Sequence, residues 1–323
     1  MATLLWLQAG ACSGNTISLL QAEEPTVIDL LTDFGVELLW HPSLGPELGE
    51  AVQKILSDLV TGAKPLDIFV VEGTVVQGPN GTGRMDMFAG RPMTEWITDL
   101  TSVASIVVGV GDCAAYGGLP TVAPNPSEST GLQFHREVKG GYLGKDWVSK
   151  AGLPVINIPG CPAHPDWISQ IVMAVATGRA GDLTLDEYHR PSTLFTTFTH
   201  NGCTRNGFFE YKQSTTEFGQ GTRTGCLFYE LGCRGPMTHS SCNRILWNRQ
   251  SSKTRAGHPC LGCTEPQFPF DDLMPGTIFK TQKVSGVIPR DLPTGADHLT
   301  YLAAAAAARI SAPQWSKEDM FVV

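Results

Sequence analysis

Nine cysteines dominate the chemistry of this 323-residue chain, and they fall into three groups of three. The members of the first group lie far apart, each after an apolar run that ends in glycine-rich sequence, whereas the other two groups lie close together near the C-terminal end. Thiolates are soft ligands that select iron–sulfur clusters, zinc or copper(I). Cysteines in threes therefore predict several iron–sulfur clusters and a role in electron transfer. The groups are Cys12, Cys113 and Cys161; Cys203, Cys226 and Cys233; and Cys242, Cys260 and Cys263.

The pair Cys260-Leu-Gly-Cys263 is the sharpest local motif. A C-x-x-C pair places two thiolates on one turn, which suits a cluster, a zinc knuckle or a redox dithiol. Zinc sites usually have a second nearby pair, whereas only Cys242 remains nearby in this chain. A 3Fe–4S cluster needs three thiolates, so this group favours that cluster, with zinc as the alternative.

A histidine accompanies the second group, because His200 precedes Cys203 by three residues. Imidazole can replace thiolate as an iron ligand. The spacing favours His200 as a fourth ligand, and the alternative is a surface or capping histidine.

Two glycine-rich segments do not match nucleotide-binding motifs. The segment Gly109-Val-Gly111-Asp-Cys113-Ala114 resembles a dinucleotide fingerprint, but no helix of the expected length is predicted after it, and a cysteine stands where phosphate would lie. The segment Gly78–Gly83 lacks the Lys-Ser/Thr of a P-loop. Neither segment therefore predicts a nucleotide site.

The composition argues against nucleic acid as a partner. The formal net charge is −8 and the sequence pI is about 5.5, whereas nucleic acid binding needs a basic face. Charged residues make up 17% of the chain, against roughly 25% in a typical domain. This low value fits a surface that a partner protein partly covers.

The sequence favours a cytoplasmic location. No apolar stretch reaches the ~20 residues that span a bilayer. Met1–Gly10 contains no Lys or Arg, so it lacks the positive region of a secretory signal. Thiols stay reduced in the cytoplasm, so clustered cysteines there are metal ligands rather than disulfides.

Strand and helix signals alternate over the first 180 residues, which predicts a doubly wound α/β domain. Apolar residues at a helical period predict helices over Leu48–Leu59 and Asp166–Thr177, the second starting near Pro165. Residues 181–323 show weak periodicity and predict a loop-rich domain with a C-terminal tail, in which Ala303–Ala308 favours a helix. The predicted strands are Thr3–Leu7, Pro25–Leu31, Val36–Trp40, Leu66–Val71, Ser105–Val110 and Pro154–Ile158.

The predicted sheet brings the first cysteine group together. Cys12, Cys113 and Cys161 each follow a predicted strand. In open α/β sheets, ligands bind outside the carboxyl ends of the strands, so these three cysteines should converge on one edge. Glu72 ends another strand at that edge. It is either a proton carrier or a residue that holds the neighbouring loop by hydrogen bonds.

Six short segments resemble the small subunits of nickel–iron hydrogenases, and the resemblance extends in order over nearly the whole chain. The resemblance implies a flavodoxin-like N-terminal domain, a C-terminal iron–sulfur domain, three clusters in a row, and an obligate large subunit that holds the nickel–iron centre. The segments are Trp6-Leu-Gln-Ala-Gly-Ala-Cys12-Ser-Gly14, Val71-Glu-Gly73, Gly111-Asp-Cys113-Ala-Ala-Tyr-Gly-Gly118, Pro159-Gly-Cys161-Pro162, Tyr229-Glu-Leu-Gly-Cys233-Arg-Gly-Pro236 and His258-Pro-Cys-Leu-Gly-Cys-Thr-Glu-Pro266.

The resemblance also implies which residues hold which cluster. The cluster nearest the partner's nickel–iron centre is proximal, the next is medial and the outermost is distal. The proximal set is Cys12, Cys113 and Cys161; the medial set is Cys242, Cys260 and Cys263; and the distal set is His200, Cys203, Cys226 and Cys233.

The chain departs from the family pattern at three positions. Asn15 stands where the family has a second cysteine after the first strand, and Ala11 stands where it has a glutamate. Cys226 lies one residue early, with Leu227 at the expected place. Because a neutral amide is a weak iron ligand, we expect a 3Fe–4S cluster in the proximal set as well as the medial set, and a 4Fe–4S or 3Fe–4S cluster in the distal set.

The expected function is electron transfer in an uptake hydrogenase, resembling the cytosolic uptake branch (group 2) of the family. This chain would pass electrons from H₂ oxidation in the large subunit to a quinone or an electron-carrier protein, and no catalytic residue is predicted in it. We expect a higher oligomer of heterodimers in the cytoplasm, at most peripherally bound to a membrane. The alternatives are a subunit of a hydrogen-sensing hydrogenase and a zinc-stabilised protein without redox function.

Overall fold

The structure is a computed structural model that describes residues 1–211, 213, 215, 225–270, 303 and 307. The chain forms two compact units. The first unit is Met1–Phe195 with the segment Cys263–Phe268, and the second is Thr196–Gly262 with Pro269–Val323. The boundary predicted after residue 180 therefore lies inside the first unit, to which a short C-terminal segment also belongs.

A five-stranded parallel sheet forms the centre of the first unit. The spatial order is β5-β4-β3-β1-β2, which is the order of flavodoxin-like folds. The predicted doubly wound α/β class is confirmed. The strands are β1 (Ala2–Gln8), β2 (Val36–Trp40), β3 (Ile68–Glu72), β4 (Ile106–Val110) and β5 (Ile156–Ile158).

The strands are apolar because both faces of the sheet are covered. All five residues of β3 are buried, and the core on one face joins Leu5 and Phe69 of the sheet to Leu56 and Trp96 of the covering helices. Strands buried on both faces read as continuous apolar runs rather than alternating ones. This burial fixes the sheet and therefore the edge where the strands end.

Two of the helices that cover the sheet were predicted, and they lie at Glu50–Val60 and Pro165–Ala176. The second begins at Pro165 after the N-cap His164. The helix α4 was not predicted, although Met93, Trp96, Ile97 and Leu100 are spaced at a helical period and buried. The helices of the first unit are α1 (Gly14–Leu19), α2 (Val27–Thr32), α3 (Glu50–Val60), α4 (Met93–Val103), α5 (Asp112–Tyr116), α6 (Pro165–Ala176) and α7 (Ser192–Phe195).

The predicted strand at Pro25–Leu31 is wrong, because this segment contains the helix α2. Thr26 caps the helix, since its side chain accepts a hydrogen bond from the Asp29 backbone N–H at 3.1 Å. The Asp29 carboxylate accepts one in return from the Thr26 N–H at 2.9 Å. A capping box satisfies two backbone donors at once, and here it outweighs the strand preference of the β-branched pair that follows.

The glycine-rich segment Gly78–Gly83 binds a carboxylate of this chain. The backbone N–H groups of Asn80 and Gly81 donate to the two oxygens of Glu128 at 2.7 and 2.8 Å. The loop amides therefore hold an internal anion. Short strand pairs flank this region: Val75–Val76 with Ser129–Thr130, Met87–Phe88 with Arg91–Pro92, and Phe134–His135 with Val138–Lys139.

Short helices and loops make up the described part of the second unit, as expected. An apolar cluster among its described residues contains Phe208, Leu227 and Phe228 together with Cys226 and Cys233. A unit whose core includes its cysteines gains folding energy when these bind metal. The elements are α8 (Asn206–Glu210), α9 (Phe228–Leu231) and the 3₁₀ turns Thr199–Gly202 and Gly235–Met237.

The predicted helical tail at Ala303–Ala308 lies mostly outside the described residues. Ala303 and Ala307 are described, and both are helical. Among the described residues, no helix has the length and apolar character needed to cross a bilayer.

Candidate metal centres

The proximal set lies at the carboxyl edge of the sheet, as the strand pattern predicts. Cys12 follows β1, Cys113 lies in α5 directly after β4, and Cys161 follows β5. Burial raises the pKa of the Cys113 thiol, and Asp112, Cys161 and Cys12 raise it further. The three sulfurs therefore act on one another electrostatically. Bound iron would stabilise the thiolate forms, because a metal cation reverses this pKa shift.

Two glycines leave space for these sulfurs. A Cβ atom at Gly118 would lie 2.7 Å from Cys113 Sγ, and one at Gly14 would lie 3.2 Å from Cys12 Sγ. Gly118 also has a φ of +58°, which side chains rarely adopt. A larger residue at Gly118 would thus displace a predicted ligand.

Glu72 holds the loop after β1 in place. Its carboxylate accepts hydrogen bonds from the backbone N–H groups of Asn15 and Thr16 at 2.9 and 3.3 Å. Trp6 Nε1, Gln8 Nε2 and Thr16 Oγ1 donate to it at 3.1, 3.2 and 2.5 Å. Glu72 is fully buried, so these bonds replace its hydration. The geometry favours the loop-holding role over the proton-carrier role.

His41 lies beside this carboxylate. Its Nε2 is 3.3 Å from Thr16 Oγ1, and its ring centroid is 5.3 Å from that of Trp6. Burial lowers the pKa of His41 to about 4, although Glu72 acts in the opposite direction. The imidazole is therefore neutral at physiological pH and adds no positive charge to this network.

Asn15 ties the proximal loops together. Its Oδ1 accepts a hydrogen bond from the Ala163 backbone N–H at 2.9 Å, and its Nδ2 donates to the Val110 carbonyl at 3.4 Å. These partners flank the positions of Cys161 and Cys113. The side-chain amide of Asn15 thus joins the two loops.

The structure places a buried acid next to Cys113 that the sequence analysis did not identify. Asp112 is 1% exposed, and neither of its carboxyl oxygens has a hydrogen-bond partner among the described residues. Burial raises the pKa of Asp112, Glu265 raises it further, and Arg136 partly opposes both. This shift favours the neutral carboxyl, and a carboxylate at this position would repel the thiolate of Cys113.

The four residues of the distal set line one pocket in the second unit. His200, Cys203, Cys226 and Cys233 all contribute to its wall. Cys226 and Leu227 both line it, so the one-residue offset from the family pattern leaves a sulfur at the pocket. The other lining residues are Thr199, Arg205, Phe228, Gly235, Pro236, Asn243 and Thr254.

Backbone N–H groups point at all three distal sulfurs. The N–H of Arg205 donates to Cys203 Sγ at 3.4 Å, that of Phe228 to Cys226 Sγ at 3.3 Å, and that of Gly235 to Cys233 Sγ at 3.4 Å. In each case the donor lies two residues after the cysteine. Burial raises the pKa of the Cys233 thiol, and the hydrogen bonds from the Gly235 and Cys260 N–H groups act in the opposite direction. Hydrogen bonds to sulfur also tune cluster potentials. The distal donors therefore fit a metal cluster.

A direct contact links a cysteine of the predicted distal set to one of the predicted medial set. The Cys260 backbone N–H donates to Cys233 Sγ at 3.2 Å, and the Cys260 carbonyl accepts from the Arg234 N–H at 2.8 Å. These two bonds fix the Cys260 backbone against the distal loop.

The backbone around Cys263 is held within the first unit. Cys242 and Cys260 belong to the second unit, and Cys263 belongs to the segment that is part of the first. Within the first unit, Arg190 holds this segment by donating from Nη1 to the Thr264 carbonyl at 3.0 Å. Arg190 is itself paired with Asp186 at 2.7 Å. The backbone next to Cys263 is thus fixed by a buried arginine that is itself held by a half-buried carboxylate.

Two family models match successive parts of the chain. The model of the 20 Kd subunit of NADH ubiquinone oxidoreductase matches residues 12–175. The model of the C-terminal region of NiFe/NiFeSe hydrogenase small subunits matches residues 195–274. The F420 non-reducing hydrogenase II small subunit of Methanosarcina mazei is 34% identical over 290 residues, which cover 82% of this chain and 73% of the relative. The chain belongs to the small subunits of nickel–iron hydrogenases.

Other hydrogenase small subunits support this assignment. The periplasmic [NiFe] hydrogenase small subunit of Solidesulfovibrio fructosivorans is 33% identical, with 84% of this chain and 80% of the relative covered. The actinobacterial-type NiFe-hydrogenase of Ralstonia eutropha H16 superposes with a TM-score of 0.78 at 30% identity, covering 100% of this chain and 94% of that chain. The recombinant [NiFeSe] hydrogenase of Desulfovibrio vulgaris Hildenborough superposes with a TM-score of 0.72 at 27% identity. The superposition covers 86% of this chain and 97% of that chain.

Membership of the family explains the donor sets described above. Nickel–iron hydrogenase small subunits carry iron–sulfur clusters and function with a large subunit. The chain is therefore part of a hydrogenase, an oxidoreductase. The thiolate-rich pocket in this small subunit matches that chemistry.

Proposed function

We propose that this small subunit conducts electrons from H₂ oxidation in its large subunit to an external acceptor through three iron–sulfur clusters. The observation that carries the proposal is the distal pocket, where three sulfurs that accept backbone hydrogen bonds face one imidazole. The proximal, medial and distal sets would hold one cluster each. Oxidation of H₂ releases two protons and two electrons in the large subunit, and the chain described here would carry only the electrons.

The test is purification of the subunit with its large subunit, followed by iron, zinc and acid-labile sulfide analysis. We expect iron and sulfide for three clusters, with EPR signals that change as the complex is reduced stepwise. Zinc without labile sulfide would contradict the proposal. Rapid hydrogen-dependent reduction of an artificial acceptor is also expected. Slow turnover by a cluster-loaded complex would instead indicate a hydrogen sensor.

The proposal extends to the cluster types. We assign 3Fe–4S clusters to the proximal and medial sets and a 4Fe–4S or 3Fe–4S cluster to the distal set. Asn15 supports the proximal assignment, because its amide oxygen already accepts the Ala163 N–H. A neutral amide that is already hydrogen-bonded in this way is a weak ligand for iron, because it lacks the negative charge of a thiolate.

Asn15→Cys should add a fourth iron to the proximal cluster. The new thiolate would stand where the family has its second cysteine and could hold the corner iron that Asn15 does not. The oxidised 3Fe–4S signal of this cluster should disappear from the EPR spectrum, and iron per complex should rise by one. Asn15→Ser is the matched control, because it also removes the amide but adds no thiolate. Equal iron content in Asn15→Cys and Asn15→Ser would contradict the assignment.

The location, the acceptor and the oligomer are further parts of the proposal. Clustered cysteines that serve as metal ligands suit the reducing cytoplasm, where the complex would act alone or bound peripherally to a membrane. The acceptor would be a quinone or an electron-carrier protein. We expect the heterodimer of small and large subunits to assemble further into a higher oligomer.

A further inference from the structure

A permanently charged side chain is buried in the wall of the distal pocket. Arg205 is 1% exposed and lies two residues after Cys203. It lines the same pocket as His200, Cys226 and Cys233. Arginine is almost never fully buried unless its charge is compensated. Its place among predicted cluster ligands therefore needs an explanation.

The guanidinium is held by two backbone carbonyls. Nε donates to the Thr254 carbonyl and Nη1 donates to the Gly225 carbonyl, both at 2.8 Å. Gly225 precedes Cys226, so Arg205 joins the loops that carry Cys203 and Cys226. The two bonds use different nitrogens of a planar group, which fixes the orientation of the cation as well as its position.

The distal cysteines lie around the same pocket as this cation, since Cys203, Cys226 and Cys233 line it together with Arg205. Burial lowers the pKa of Arg205, and Cys203, Cys226 and Cys233 oppose this shift. The thiolates would thus help to compensate the buried charge. The compensation is mutual, because the guanidinium lowers the energy of added negative charge in the pocket.

We propose that Arg205 is a fixed counter-charge that raises the reduction potential of the distal cluster. This inference rests on the function proposed above. Reduction adds one electron to the cluster, and a buried positive charge stabilises the reduced form over the oxidised form. Net charge and surroundings set the potentials of such clusters. A raised potential at the outermost cluster draws electrons away from the active site and opposes their return.

The test is a redox titration of the intact complex monitored by EPR, comparing wild type with Arg205→Gln and Arg205→Lys. The EPR signal of the distal cluster is identified as the signal that disappears in the variant Cys226→Ala. At a fixed applied potential, Arg205→Gln should lower the ratio of reduced to oxidised distal cluster about tenfold, which corresponds to ~59 mV for one electron. Arg205→Lys keeps the charge and should stay close to wild type. Arg244→Gln is the control, because this arginine in the same unit is exposed and its charge is screened by salt.

Each outcome decides between a charge effect and a purely structural one. An unchanged ratio in Arg205→Gln with the cluster intact would overturn the proposal, and so would equal shifts in Arg205→Gln and Arg205→Lys. If Arg205→Gln loses the distal cluster, retention of that cluster in Arg205→Lys supports the proposal. Loss of the cluster in both variants shows that the geometry of the guanidinium group, and not its charge, is required. Absence of the distal cluster from wild type would instead refute the proposed function.

Discussion

Cys260→Ala should lower hydrogen-dependent dye reduction by more than about 100-fold, because loss of a direct ligand should exceed the 10–100-fold cost of losing a supporting residue. The substitution removes one of the three thiolates proposed to hold the medial cluster. Electrons would then have to cross the middle of the chain without a carrier. The measurement is H₂-dependent reduction of a soluble dye by the purified complex, together with its iron content.

The variant should keep the backbone hydrogen bonds of residue 260. The contacts that fix Cys260 to the distal loop are made by its backbone N–H and carbonyl, and alanine keeps both. Leu261→Ala is the matched control, since it truncates the neighbouring half-buried side chain without removing a ligand. Undiminished dye reduction in an assembled Cys260→Ala complex would refute the medial assignment.

The convergence of the proximal set could be predicted because the fold itself supplies it. Cys12, Cys113 and Cys161 are far apart in the chain, but each follows a strand of one parallel sheet, and all such strands end at the same edge. Apolar runs of strand length were enough to find five strands. The exception is Pro25–Leu31, which was predicted as a strand because of its β-branched residues. It contains the helix α2 instead, because the hydrogen bonds between Thr26 and Asp29 stabilise the start of a helix.

The residues that support the cysteines were harder to predict. Glu72 was located at the sheet edge, but its donors come from β1 and α1, and only the folded chain shows that they point at one carboxylate. Arg205 could not be identified, because arginine is normally a surface residue and its burial depends on carbonyls at Gly225 and Thr254. Loop-built sites of this kind have no periodic signal in the sequence.

Glu72→Ala should destabilise the first unit by at least ~3 kcal/mol, since each buried donor left without an acceptor costs about 1–3 kcal/mol. The variant loses the acceptor of five hydrogen bonds from Trp6, Gln8, Asn15 and Thr16. For a unit of this size the midpoint of thermal unfolding should fall by roughly 10 °C. Thermal unfolding of the purified complex measures this shift, and iron analysis should show loss from the proximal set, because Cys12 precedes the released loop.

Two further variants separate the loop-holding role of Glu72 from the proton-carrier role. Glu37→Ala removes an exposed glutamate of β2, and we expect its unfolding midpoint to match wild type, because surface substitutions usually change stability by less than about 0.5 kcal/mol.

Glu72→Gln keeps one acceptor oxygen but cannot carry a proton at physiological pH. If Glu72 acts by holding the loop, Glu72→Gln should unfold between wild type and Glu72→Ala and retain H₂ oxidation in proportion to its clusters. A cluster-loaded Glu72→Gln complex with wild-type stability and no H₂ oxidation would show that proton transfer is the essential role. The five donors that surround the carboxylate in this structure lead us to expect the first result.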